Sequence, residues 1–107
     1  MNYKTNCLKT ICSPGQIKGF LGKDLLQFSN GTVKVVRIEP MSVYPEHVHP
    51  DKTEYAFVME GNPEFVINNL SFEGQVGDFF TFPLGEKHSI KNNTKKECCL
   101  LIGAIKN

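Results

Sequence analysis

The sequence predicts an all-β domain, a sandwich or barrel of short strands. Apolar residues fall in short runs rich in Val, Ile, Phe and Thr, and nine Gly and six Pro punctuate those runs. Almost nothing repeats with the 3.6-residue period of an amphipathic helix. At 107 residues the chain has the size of one domain. A chain of that length buries about two-thirds of its unfolded surface, enough for a core without staples.

The elements follow in order. "IKGFLG" and "DLLQFS" are the weaker strand candidates, and residues 1–30 are read as N-terminal strands or as an arm that packs on a second copy of the chain. "TVKVVRIE" (32–39) is a strand ended by Pro40, and "EYAFVME" (54–60) is one closed by Gly61-Asn62-Pro63. "EFVIN" (64–68) and "LSFEG" (70–74) flank Asn68-Asn69, a pair that tolerates the positive φ of a tight hairpin. "DFFTF" (78–82) runs into the turn Pro83-Leu84-Gly85, and "SIKN" (89–92) and "ECCLLIGAI" (97–105) complete the series. There is no internal repeat, linker or low-complexity tract.

Charge and composition exclude several classes. The net charge is +1 and the basic residues are scattered, so nothing favours nucleic acid. No apolar run reaches the length of a membrane span. The N-terminal "MNYKTNCLKTICSPG" lacks the apolar stretch of a signal peptide, which predicts a cytoplasmic protein. Cys7, Cys12, Cys98 and Cys99 are then expected as reduced thiols in core or edge positions.

Two strands are apolar on both faces. In "EYAFVME", Ala56 and Val58 share one face, while Tyr55, Phe57 and Met59 share the other. A small barrel has one interior, so the outer apolar face needs a cover. The N-terminal segment, a second copy of the chain, or both together can supply it, and a homodimer is expected.

Two of the three histidines stand one residue apart in "PEHVHPDKTEY" (45–55). Residues two apart on a strand face the same way, so His47 and His49 project side by side. Pro50-Asp51-Lys52 reads as a turn that resets the alternation and lets Glu54 face back towards them. Two imidazoles and a carboxylate converging in this way form a metal site with open positions. On its own the pattern also fits two surface histidines and an ordinary Glu.

The stretch "GDFFTFPLGEKHSIKN" (77–92) holds the third histidine. Together the two stretches resemble the cupin superfamily. Its first motif, G-x5-H-x-H-x3or4-E-x6-G, is met by His47, His49, Glu54 and Gly61. Its second, G-x5-P-x-G-x2-H-x3-N, is met by Gly77, Pro83, Gly85, His88 and Asn92. One position departs: the opening Gly of the first motif is Met41, a turn residue and not a ligand. The motifs cover 41–92, and the resemblance implies a single cupin domain over 1–107.

The resemblance implies a double-stranded β-helix, a jelly-roll barrel of two antiparallel sheets. It also implies one divalent metal inside, held by His47, His49, Glu54 and His88. Three imidazoles and a carboxylate suit Fe, Mn, Ni, Co, Cu or Zn, and an octahedral ion keeps two positions for water or substrate. The function expected is metal-dependent chemistry of dioxygenase, isomerase or lyase type on a small polar molecule in the barrel. The alternative is a binding or sensor module without turnover. Tyr44 and Arg37 are the candidates for further roles: a Tyr near a metal donates a proton or hydrogen-bonds substrate, and the chain's only arginine could anchor an anion. Tyr55, next to Glu54, should face outwards. Sugar-phosphate chemistry would call for several inward basic residues, and the single arginine argues against it.

Overall fold

The computed structural model describes residues 3–107, all of it strand, turn and loop. The strands are β1 (Ser13–Pro14), β2 (Phe20–Phe28), β3 (Gly31–Ile38), β4 (Ser42–His47) and β5 (Lys52–Glu60), then β6 (Glu64–Ile67), β7 (Leu70–Glu73), β8 (Phe79–Phe82), β9 (His88–Asn92) and β10 (Cys98–Lys106). They build two antiparallel sheets, one of six strands ordered β1-β2-β3-β10-β5-β8 and one of four ordered β4-β9-β6-β7. The chain crosses repeatedly from one sheet to the other, as the jelly roll expected from the sequence requires. Residues 1–2 of the N-terminal segment lie outside the described residues. Among the described residues no helix is long and apolar enough to cross a membrane.

Alternation along each strand decides what enters the core. Val36 and Ile38 of β3, Ala56 and Val58 of β5, and Leu100 and Ile102 of β10 meet Phe65 of β6 and Ile90 of β9 between the sheets. Phe20 and Phe82 join the same cluster. Burying each large side chain stabilises the fold by roughly 1.5–3 kcal/mol. Phe65 also stacks on Phe80, with ring centroids 4.1 Å apart.

Turn chemistry fixes the register. Asn68 and Asn69 have φ of 49° and 67° and close a two-residue hairpin whose strands pair Ile67 with Leu70. Gly61 has φ of 82°, and a Cβ there would sit 2.7 Å from the sulfur of Cys98, so both conformation and space demand glycine. Met41, at the departing motif position, takes φ of 59° behind Pro40, supplying the left-handed conformation of a type II turn without glycine.

The outer face of the six-stranded sheet is covered at one end. The turn that begins at Asn6, closed by the Thr10 N–H donating to the Asn6 carbonyl over 2.9 Å, folds back onto it. Arg37 donates to the Leu8 carbonyl, and the Cys99 sulfur lies 4.0 Å from the Cys7 carbonyl. Val35 and Cys99 face outwards yet have no exposed surface. Towards the other end Leu26, Phe28, Phe57, Phe79 and Ile105 remain exposed. All four cysteines are free thiols, and burial pushes Cys99 up to about 11 against the opposing pull of Arg37.

Candidate metal centre

The ligand stretch begins on β4, where one extra residue is inserted against β9. Tyr44 pairs with Ile90 and His47 with His88, so three steps on β4 match two on β9. This bulge reverses the alternation. Tyr44 and His47 therefore both face the interior, while Pro45 and Glu46 stand in solvent. The strand ends at His47, and His49 belongs to the loop beyond it. That loop is tied down because the His49 carbonyl accepts the Gly85 N–H over 3.0 Å. Gly85, with φ of 76°, is the third residue of a turn closed by the Glu86 N–H donating to the Pro83 carbonyl over 3.1 Å. The same turn delivers His88 to the first position of β9.

Glu54 reaches the site from the other sheet, sharing the inward face of β5 with Ala56 and Val58. Its oxygen Oε1 lies 2.8 Å from Nε2 of His49 and 3.1 Å from Nε2 of His88. Nδ1 of His47 lies 2.9 Å from the Pro45 carbonyl, and Nδ1 of His88 lies 3.4 Å from that of Glu86. A carbonyl only accepts, so with an ion on Nε2 both rings would carry their proton on Nδ1, and Nε2 is the nitrogen turned to the site. Phe82 stacks flat on His88, centroids 4.3 Å apart and planes 8° from parallel, which fixes the ring's plane.

Burial alone would raise the Glu54 carboxyl. The hydrogen bond from His88 and the charges of His49, His88 and Lys52 together hold it below the ordinary carboxylate range. His49 is lowered, by burial first and then by Lys52 and the neighbouring histidines, with Glu54 opposing. Both directions favour what a ligand must be, an ionised carboxylate and a neutral imidazole.

The donor atoms of His47, His49, Glu54 and His88 all lie within 4.8 Å of one another. Opposite donors on an ion with bonds of about 2.1 Å stand about 4.2 Å apart, so shifts of a few tenths of an ångström complete the set. The residues fit one divalent transition ion. The site opens on a cavity of about 320 Å³ between the sheets, with Phe20, Val36, Phe82, Ile90 and Ile102 among its apolar walls.

Tyr44 lines this cavity, its ring 4.7 Å from that of His47 and edge-on to Phe20. Arg37 does not reach it. Val36 and Ile38 point inwards, so Arg37 between them points outwards, where it pairs with Glu97 at 3.1 Å and Glu60 at 3.5 Å. The sequence reasoning passed over Lys34 and Lys52, which also line the cavity. The clue for Lys34 is its phase, since it alternates with Val36 and Ile38 on the inward face of β3.

The comparisons with known proteins agree with this fold. Residues 34–103 match a family model described as a cupin domain. Germin-like protein subfamily 2 member 4 of Arabidopsis thaliana is 38% identical over 80 residues, 68% of this chain and 36% of that protein. The chain thus spans about a third of the length of the curated relatives it matches. The cupin domain of Schizosaccharomyces pombe Cnp3 superposes with a TM-score of 0.87 at 16% identity, covering 98% of this chain and 74% of that one. A sugar phosphate isomerase of the cupin superfamily from Silicibacter pomeroyi superposes with a TM-score of 0.77 at 25% identity, covering 89% and 67%. Two interleaved sheets, both motifs and the matched family place the chain plainly: it belongs to the cupin family.

Proposed function

We propose that the protein is a metal-dependent enzyme acting on a small polar molecule, with one Fe, Mn, Ni, Co, Cu or Zn ion held by His47, His49, Glu54 and His88. The observation that carries this reading is the opening of a complete four-donor set onto a cavity of about 320 Å³. An ion there supplies Lewis acidity to a substrate oxygen, the need shared by dioxygenase, isomerase and lyase chemistry. The chain's own residues do the rest. Phe82 and the two Nδ1 hydrogen bonds hold the imidazoles in place, the apolar walls exclude water, and Tyr44 offers its phenol beside His47. Metal analysis of untagged protein, followed by turnover assays on small hydroxy and keto compounds, tests it. One ion per chain with metal-dependent turnover is expected. Turnover that survives His88→Ala would refute the reading, and ligand binding without turnover would make the protein a binding module instead.

We also propose that a second copy of the chain covers the exposed end of the six-stranded sheet. Leu26, Phe28, Val33, Tyr55 and Ile105 line a shallow apolar groove of about 200 Å³ there, and exposed Phe79 stacks on Tyr55. A ridge beside a groove on one apolar face suits two-fold pairing with its own copy.

A further inference from the structure

Two lysines stand at the cavity and have no part in the ligand set. Lys34 sits in mid-strand on β3, paired across β10 with Ile102, whose side chain belongs to the same wall. Lys52 opens β5 on the face of Glu54 and contributes positive charge at both Glu54 and His49. Asp24 lies opposite Lys34 on β2, yet neither lysine forms an ion pair with a described residue. Lys34 is exposed, but its side chain rises on the side of β3 that carries Val36 and Ile38, which puts it at the cavity and not on the outer face.

With a divalent ion in place, the charges around the cavity would be the ion, Lys34 and Lys52, against Glu54 and, opposite Lys34, Asp24. Such an excess of positive charge in an apolar-walled cleft selects anions. We propose that the cavity takes a small organic anion, with an oxygen donor at one end on the ion and a carboxylate or phosphate at the other end on Lys34. Val36, Ile90 and Ile102 enclose the short carbon body between, and Lys52 adds attraction beside the metal end. This rests on the metal reading above and names its substrate class. It also reverses the sequence-based objection to a phosphate-bearing ligand: the basic residues lining the cavity are lysines, not arginines.

The test uses the full chain loaded with Co(II), whose visible spectrum reports changes at the ion. The probes are malonate, 2-phosphoglycolate and the neutral malonamide, with affinities from calorimetry. Malonate or phosphoglycolate should bind and perturb the spectrum, and the tighter of the two identifies the anion. Malonamide should bind at least about tenfold more weakly, as should the anions to Lys34→Gln, while Lys34→Arg should stay close to wild type. Full cobalt loading with equal anion affinity in wild type and Lys34→Gln would overturn the anchor and leave the metal reading intact. Cobalt-loaded wild type that binds neither anion would overturn it equally. Wild type that takes up no cobalt would overturn the metal reading and this one with it.

Discussion

Nε2 of His88 lies 3.1 Å from Oε1 of Glu54, and this contact joins the two sheets. Glu54 stands on β5 of the larger sheet and His88 on β9 of the smaller. Phe82, the neighbour of Glu54 across the β5–β8 pair, is the ring stacked on His88. The cluster of candidate ligands is thus built into the core packing, and a change at the site is also a change at the seam between the sheets.

Asn92 locks the end of the same strand. Fully buried, it donates to the carbonyls of Ile38 at 3.1 Å and Lys96 at 2.7 Å and accepts from the Thr94 hydroxyl at 2.6 Å. Asn92→Ala strands buried carbonyls without donors, and a loss of roughly 2–4 kcal/mol is expected from urea unfolding. A loss under about 0.5 kcal/mol, the ordinary surface value, would contradict this account.

Met41 carries a left-handed backbone where the motif has glycine. Met41→Gly should cost nothing or stabilise the protein by up to about 1 kcal/mol, since relief of the strain offsets the added freedom of the unfolded chain. Met41→Val, β-branched in the same conformation, should destabilise by about 1 kcal/mol or more. Thermal unfolding of the pair should rank Gly above Val, and the opposite order would show that the turn is not strained.

The fold and the four clustered donors were legible in the sequence for different reasons. Alternation placed Ala56 and Val58 inside and Tyr55 and Phe57 outside, because a strand has no other choice. The donor cluster was legible because turn glycines and donors sit at fixed spacings. What stayed hidden depends on strand offsets that no local pattern records. The bulge that turns both Tyr44 and His47 inwards is one case. The outward phase of Arg37 could have been read from Val36 and Ile38, but proximity along the chain suggested the reverse. Lys34 was hidden because an exposed lysine on a strand reads as ordinary surface, and only its shared phase with Val36 and Ile38 places it at the cavity.

Thiol reactivity should divide by burial. At pH 8 Cys7 and Cys12 should alkylate well ahead of Cys98 and Cys99, and all four should react once the chain is unfolded. The Cys99 thiol, raised by burial from 9.0 to about 11, contributes stability that is complete below pH 9.0 and lost as pH rises towards 11. Cys99→Ala should flatten that alkaline limb. Equal native rates for all four thiols would contradict the placement.

Association is tested by light scattering at micromolar concentration. A mass near twice the chain's 12.0 kDa is expected, and Phe57→Lys should halve it, since a charge facing its own copy is costly. A wild-type mass near 12.0 kDa would leave the N-terminal turn as the only cover of that face.

The central claim is the metal centre, and crystals grown with Co(II) test it most directly through anomalous scattering at the cobalt edge. The account predicts one strong peak per chain between the sheets, with Nε2 of His47 and His88, a ring nitrogen of His49 and an oxygen of Glu54 each about 2.0–2.3 Å away. A peak bound elsewhere, or any two of these four side chains turned to opposite faces of their sheets, would contradict it.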